Sequence, residues 1–300
     1  MAEAQPAPHG WILLDKPLGL GSTQAVSAVK RALRQAGYGK AKVGHGGTLD
    51  PLATGVLPIA IGEATKLCGR MLDASKIYRF TIAFGSETDS LDREGQVIAT
   101  SDVRPNADAI AAVLPRFTGP ISQIPPAYSA LKVDGARAYD LARAGQDVVL
   151  AARAVTIHAL DAEAVTPDSV TLCAHVSKGT YIRSLARDIA HALGSVGHVA
   201  MLRRVQAGPF GLDRAISLDI LDEAAKGGSL GDLVLPLRTA LVDIPALALT
   251  AGEAQALRQG RVLTGVAAPD GLCLALLADV PVALVNVLDG AVTVERGFNL

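Results

Sequence analysis

The sequence predicts an α+β fold, and two observations carry that prediction. Strand-like and helix-like stretches are interspersed over residues 10–210 without the regular alternation that marks a doubly wound sheet or a barrel. Near residues 240–245 the composition shifts, and short strand patterns separated by turns follow. Half of the 300 residues are hydrophobic, enough to bury a substantial core, and at about 150 residues per domain the chain has room for two domains. The reading places a first domain over 1–240 and a small β domain over 241–300.

Trp11 to Leu14 reads as a strand, followed by a turn-rich Lys16 to Gly21 and a helix with Ser22 as its N-cap. Val26, Val29 and Leu33 give that helix an apolar face, and Gly37 ends it. Gly44 to Gly55 is too irregular for helix or strand and reads as an ordered loop. Val56 to Ile61 and Ile77 to Phe84 are strand-like, with an acidic turn over Gly85 to Gly95. Asn106 caps a helix running to Phe117, and Pro120, Pro125 and Pro126 then enforce an extended path. A helix pattern covers Ala136 to Ala144. Val155 to Leu160 and Val170 to Val176 read as strands. Ile182, Leu185, Ile189 and Leu193 repeat at helical spacing up to Gly194, and Gly197 to Val205 is again strand-like. In the last domain Thr250 to Gln259 reads as a capped helix, ahead of strands at Leu272 to Leu277, Val282 to Val287 and Val292 to Glu295.

Composition excludes several classes of function. Cys68, Cys173 and Cys273 lie far apart with no C-x-x-C pair, which argues against a disulfide framework or a zinc site and for a reducing cytosol. No stretch approaches the roughly 18 uninterrupted apolar residues of a membrane span, so a cytoplasmic protein is expected. His158, His175, His191 and His198 show no metal-ligand spacing, and no metal is expected. Net charge is −1, which by itself does not favour a nucleic-acid partner. The distribution is uneven, however: residues 1–80 hold ten basic against five acidic side chains, whereas residues 241–300 hold three against six. A basic surface therefore has to come from the N-terminal half, helped by Arg183, Arg187, Arg203 and Arg204.

Asp50 is the candidate for chemistry. Gly44, Gly46 and Gly47 free the backbone before it and Pro51 constrains the backbone at it, a setting that projects one side chain from a fixed turn. Taken alone, an Asp-Pro pair is better read as an Asx turn with no function. A phosphate-binding loop is a weaker reading, because the G-x-x-x-x-G-K-[ST] spacing is missing.

The segment Gly44-His45-Gly46-Gly47-Thr48-Leu49-Asp50-Pro51-Leu52-Ala53-Thr54-Gly55 resembles the signature loop of the TruB family of tRNA pseudouridine synthases, and four other motifs, one before it and three after, stand in family order. These are Gly10 to Pro17, Lys76-Ile77-Tyr78-Arg79 with the Thr88-Asp89-Ser90 turn, Pro125 to Lys132, and Ser177 to Leu185. The resemblance covers residues 10–210 and is faint past 240. It implies a pseudouridine synthase fold, with a mixed, mainly antiparallel sheet flanked by helices and a PUA-like C-terminal domain. It also implies isomerisation of the T-loop uridine at tRNA position 55, by base flipping and without a cofactor. Asp50 would be the essential carboxylate, Arg183 its partner and Tyr78 the ring stacked on the target base. Tyr181 and Leu202 would line the base pocket, His45 would fill the position the flipped base vacates, and Lys16 would join the RNA-binding set. The expected partner is the T stem-loop of tRNA, bound by a monomer with no obligate protein partner. A folding factor for tRNA that needs no catalysis, and the subunit of a guide-RNA particle, are the competing readings; the basic extensions of the latter are missing. One departure stands out: Gly46 replaces the family's threonine, removing a side chain beside His45 and adding flexibility.

Overall fold

The computed structural model describes residues 5–129, 131–133, 135–146, 148 and 150–300. Ala130, within the motif at 125–132, lies outside the described residues. In chain order the first elements are β1 (Gly10–Lys16), α1 (Ser22–Gln35), β2 (Val43–His45), β3 (Ala53–Ile61), α2 (Cys68–Asp73) and β4 (Lys76–Phe84). A small hairpin, β5 (Ser86–Thr88) and β6 (Val97–Thr100), occupies the acidic turn, followed by α3 (Ala107–Val113) and β7 (Gly119–Gln123). Two-residue strands β8 (Lys132–Val133) and β9 (Ala136–Arg137) precede α4 (Ala138–Arg143). Then come β10 (Arg153–Thr166), β11 (Ser169–Val176), α5 (Ile182–Ala192), β12 (Gly197–Ala207), β13 (Phe210–Gly211), α6 (Leu218–Gly227) and β14 (Leu235–Pro236). The chain ends with β15 (Ala246–Ala248), α7 (Ala251–Arg258), β16 (Gly271–Leu277), β17 (Val280–Leu288) and β18 (Ala291–Gly297).

Ten strands form one sheet in the order β14-β1-β3-β12-β4-β11-β10-β7, with β2 added on β3 and β13 on β12. Every pairing in it is antiparallel except β3 with β12, so the α+β class with a mixed, mainly antiparallel sheet holds. The parallel pair sets Ala53 beside Leu202 and Gly55 beside Arg204. Gly55 has φ +102°, and a Cβ there would collide with the Arg204 carbonyl, so only glycine lets these strands approach. Two buried clusters meet at the sheet's centre. One joins β4, β10 and β11 to α5 through Phe80, Ile157, Leu172 and Leu185; the other seats α1 and α6 on β1 and β3 through Leu14, Val29, Leu57 and Leu221. Tyr78 and Leu202 pack against both.

A third cluster joins the small C-terminal sheet, ordered β15-β16-β17-β18, to the main body: Trp11, Phe210 and Leu237 share it with Leu274, Leu284 and Phe298. Trp11 is fully buried, stacks obliquely on Phe210 at 5.3 Å and donates from Nε1 to the Leu237 carbonyl at 3.2 Å.

Several local expectations change. The cap of α1 is Gly21, not Ser22; the Ser22 hydroxyl is spent on Leu49 instead. The glycine-rich segment is loop only between β2 and β3, since pairing with β3 draws Val43 to His45 into the sheet. Strand β10 runs well past Leu160 because β11 pairs with it to Thr166. Helix α6 was missed, although Ser217 caps its start by accepting from Ile220 N–H and Gly228, at φ +76°, closes its end. Among the described residues no helix is long and apolar enough to cross a membrane.

Candidate active site

The loop that carries Asp50 is held carbonyl by carbonyl. Arg204 donates to Gly47 O at 3.1 Å and Thr48 O at 3.3 Å, the Ser22 hydroxyl to Leu49 O at 2.9 Å, and Ala53 N–H to Asp50 O at 3.0 Å. Gly19 N–H and the Lys16 ammonium both reach Pro51 O, at 2.8 and 3.3 Å. Five consecutive carbonyls are thus satisfied from outside the loop, which is why a segment without regular structure is rigid. Gly46 donates to Pro58 O at 2.8 Å and is buried. A Cβ on it would lie 2.8 Å from that of Met71. The expected flexibility at Gly46 is therefore absent: the space a side chain would take is filled by Met71.

This frame leaves the Asp50 carboxylate half-exposed, 3.0 Å from the buried guanidinium of Arg183. Arg183 is fixed in turn by Ser90 O at 2.9 Å, Tyr128 O at 2.8 Å and the Asp92 carboxylate at 3.3 Å. The turn bearing Ser90 and Asp92 includes Leu91 at φ +62°, a conformation unfavourable for a branched side chain that aims the Ser90 carbonyl at Arg183. Two hydrogen bonds and two ion pairs on one planar group leave it little freedom. Around it opens a cleft of about 410 Å3 lined by Asp50, Tyr78, Tyr181, Arg183 and Leu202. Two smaller clefts, of about 300 and 340 Å3, also reach Asp50 and Arg183.

Strand geometry sets the walls. Lys76 and Tyr78 lie two apart on β4, Leu202 and Arg204 two apart on β12, and Tyr78 pairs with Arg204 across the strands; period-two alternation brings these four to one face. Tyr181 starts α5, its N–H and carbonyl both bonded to the Gln123 amide at 2.8 and 3.1 Å. The Arg153 guanidinium sits over its ring at 4.8 Å. Tyr128, whose carbonyl holds Arg183, donates its hydroxyl to Asp89 at 3.2 Å.

Lys16 and His45 lie outside the cleft lining. Lys16 is fully buried and its ammonium is taken up by Leu20 O at 2.6 Å, Pro17 O at 3.1 Å and Pro51 O, a position that ties down the loop and offers no surface to RNA. Burial lowers its pKa to about 8, the Asp50 charge opposing and Arg204 adding to the shift. His45 ends β2, opposite Ile59. Burial, then the Arg204 charge, push its pKa below the ordinary value, so the ring is neutral at pH 7, and among the described residues its Nδ1 has no hydrogen-bond partner. The expected basic cluster divides: Arg183 and Arg204 are buried, Arg187 pairs with Asp188 at 2.8 Å and Arg203 with Asp15 at 2.7 Å. Sequence reasoning gave Ser22 only a helix cap and Arg204 only a share of a basic surface, and gave no role to Asp92 or Tyr128. Only Tyr128 had a signal, in its motif; the others act through contacts far apart in the chain.

Residues 31–182 match the TruB family pseudouridylate synthase (N-terminal domain) profile, and residues 183–242 match that of the tRNA pseudouridylate synthase B C-terminal domain. The chain belongs to the TruB family. It is 66% identical to tRNA pseudouridine synthase B of Novosphingobium aromaticivorans, over 97% of each chain. To the protein of that name from Zymomonas mobilis it is 58% identical, over 97% of this chain and 96% of the relative. Solved structures agree on the fold. A Cbf5-Nop10-Gar1 complex contains a chain with TM-score 0.73 and 27% identity, covering 96% of this chain and 84% of that one. An H/ACA RNP bound to a substrate RNA containing 2′-deoxyuridine contains one with TM-score 0.74 and 25% identity, covering 97% and 86%. The family member described here is therefore an enzyme, a pseudouridine synthase that isomerises uridine in RNA.

Proposed function

We propose that this enzyme converts the T-loop uridine at tRNA position 55 to pseudouridine, with Asp50 as the essential carboxylate. The carrying observation is the Asp50–Arg183 pair at 3.0 Å, in a cleft that Tyr78 and Tyr181 also line and that is large enough for one nucleotide. The reaction breaks the N1 glycosidic bond, turns the base and rejoins it through C5, with no net oxidation or hydrolysis, so it calls for positioned charge and no cofactor. Asp50 serves as nucleophile toward base or sugar, or as the base for a sugar proton; each role needs it ionised, and the Arg183 guanidinium at 3.0 Å holds it in place.

A uridine in a folded loop has to leave its stack before it reaches the cleft. In this reading Tyr78 stacks on the flipped base, Tyr181 and Leu202 hold its edges, and His45 fills the gap left behind. A neutral ring suits that task, because it can stack without desolvating a charge. The partner is the T stem-loop of tRNA, met by a monomer in the cytoplasm, where tRNA resides. Residues 1–240 act as the catalytic domain and 241–300 as a PUA-like module for the rest of the tRNA. A folding role for tRNA coexists with catalysis. The test is incubation of the purified protein alone with unmodified tRNA transcript, then chemical mapping of pseudouridine: product at the T-loop uridine is expected, and bound tRNA without product there sinks the proposal.

A further inference from the structure

Lys76 and Arg204 line the cleft beside Asp50, and both are buried, at 7% and 1% exposure. Among the described residues neither pairs with a carboxylate. The Lys76 ammonium donates to Met71 O at 2.9 Å, Leu72 O at 2.6 Å and Ala74 O at 2.6 Å. Arg204 donates to Val56 O at 2.8 Å besides Gly47 O and Thr48 O. Asp73 acts on Lys76 from outside but is itself bound to Lys178 at 2.9 Å. Of the ionised residues lining the cleft, three are cations, Lys76, Arg183 and Arg204, and one is an anion, Asp50. Even with Asp92 counted against Arg183, the site holds more positive charge than its own carboxylates neutralise. Buried cations held only by neutral carbonyls oppose folding. Such an arrangement complements a negative charge that arrives during the reaction.

We propose that Lys76 and Arg204 stabilise the pyrimidine anion formed when the glycosidic bond breaks. This inference rests on the proposed function. Where Asp50 acts on the sugar, as nucleophile or as base, the electron pair of the C1′–N1 bond leaves with the pyrimidine, whose charge is shared among N1, O2, O4 and C5. The deficit at C1′ is met by a bond to the Asp50 carboxylate, or by loss of a C2′ proton that is later returned. After the base turns, C5 donates a pair to C1′ as the C1′–O bond to Asp50 breaks, or as the C2′ proton returns, and the carbon–carbon bond forms. C5 then releases its proton and N1 gains one, so the product is an isomer. Two fixed cations beside the turning base hold the anion in place without reorganising. Lys76 keeps its proton only below about 8, because burial, then the Arg204 charge, lower its pKa, with Asp73 opposing and Lys178 adding to the shift.

The deciding experiment measures single-turnover pseudouridine formation on unmodified tRNA transcript from about pH 6.5 to 9, for the native enzyme, Lys76→Arg and Lys76→Met. The native rate is expected to fall as pH passes about 8, while Lys76→Arg stays level across that window. Lys76→Met should be slower by about 100-fold at pH 7 with tRNA affinity unchanged. A Met variant as fast as the native enzyme overturns the inference. So does an Arg variant that declines alongside the native enzyme, since Lys16, also near 8, would then control the profile. If Lys76→Met melts because α2 loses the cation at its C-terminal end, the Lys76→Arg profile decides alone. Absence of pseudouridine from the native enzyme at every pH is a different result: it overturns the proposed function, and this inference with it.

Discussion

At the scale of single residues, the chemistry rests on side chains whose burial runs against their charge. Arg183 is buried because four acceptors converge on it, and Asp50 is its exposed end. Gly46 is the residue whose meaning changed most, from a flexible point to a packed one. Gly46→Thr places a side chain against Met71 and should cost about 1–3 kcal/mol, the usual penalty of overpacking; pairing it with Met71→Ala should recover much of that. Thermal unfolding of the two single variants and the double checks this, and full additivity would show that the two positions do not share space. His45 supplies a pH test. Its native pKa is below its unfolded value, so the unfolded state binds more protons between the two, and stability falls as pH drops through that window below about 6.5. His175 shifts the same way. His45→Ala should therefore lose melting temperature less steeply than the native protein between about pH 7.5 and 5.5, and identical slopes would remove His45 from the balance.

At the scale of elements, the loop between β2 and β3 behaves as one unit because α1, β3 and β12 all grip it. Ser22 was legible as a helix start, but its partner lies 27 residues away at Leu49, and no local pattern announces such a bond. Ser22→Ala leaves a buried N–H and carbonyl of Leu49 unpaired and should cost about 1–3 kcal/mol. It should also slow turnover by loosening Asp50, while tRNA binding persists. Melting and single-turnover rates measure both; an unchanged rate would mean that Lys16 and Arg204 suffice to hold the loop. Elements with strong periodicity or a side-chain cap, such as α5, α7 and the start of α3, were readable from the chain alone. The ends of β3 and β10 were not, because partner strands extend them beyond their apolar cores. Helix α6 had a readable cap and stop, Ser217 and Gly228, around a short amphipathic run.

At the scale of the whole molecule, topology assembles the site. Asp50 precedes β3, Tyr78 lies on β4, Leu202 on β12 and Arg183 on α5; in the main sheet the parallel pairing of β3 with β12 and the antiparallel pairing of β12 with β4 set their strands side by side, and all four residues line one cleft. The motifs named these residues in the sequence, but the pairing of Arg204 with the loop could not be read there, since it depends on the crossing itself. The C-terminal sheet was legible as short strands, whereas its attachment was not: Phe298, just after β18, is buried in one cluster with Trp11. Phe298→Ala should cost about 3–5 kcal/mol and lower the melting of the whole chain in one transition. Two separated transitions would mean that the two sheets unfold independently. The central claim is that Asp50 does the chemistry while the surrounding frame binds the RNA. Its most direct test is pseudouridine mapping on tRNA transcript with Asp50→Asn beside the native protein, tRNA binding being measured on the same samples. The account predicts bound tRNA, native melting and no pseudouridine with the variant. Pseudouridine at the T-loop uridine formed by Asp50→Asn would contradict it.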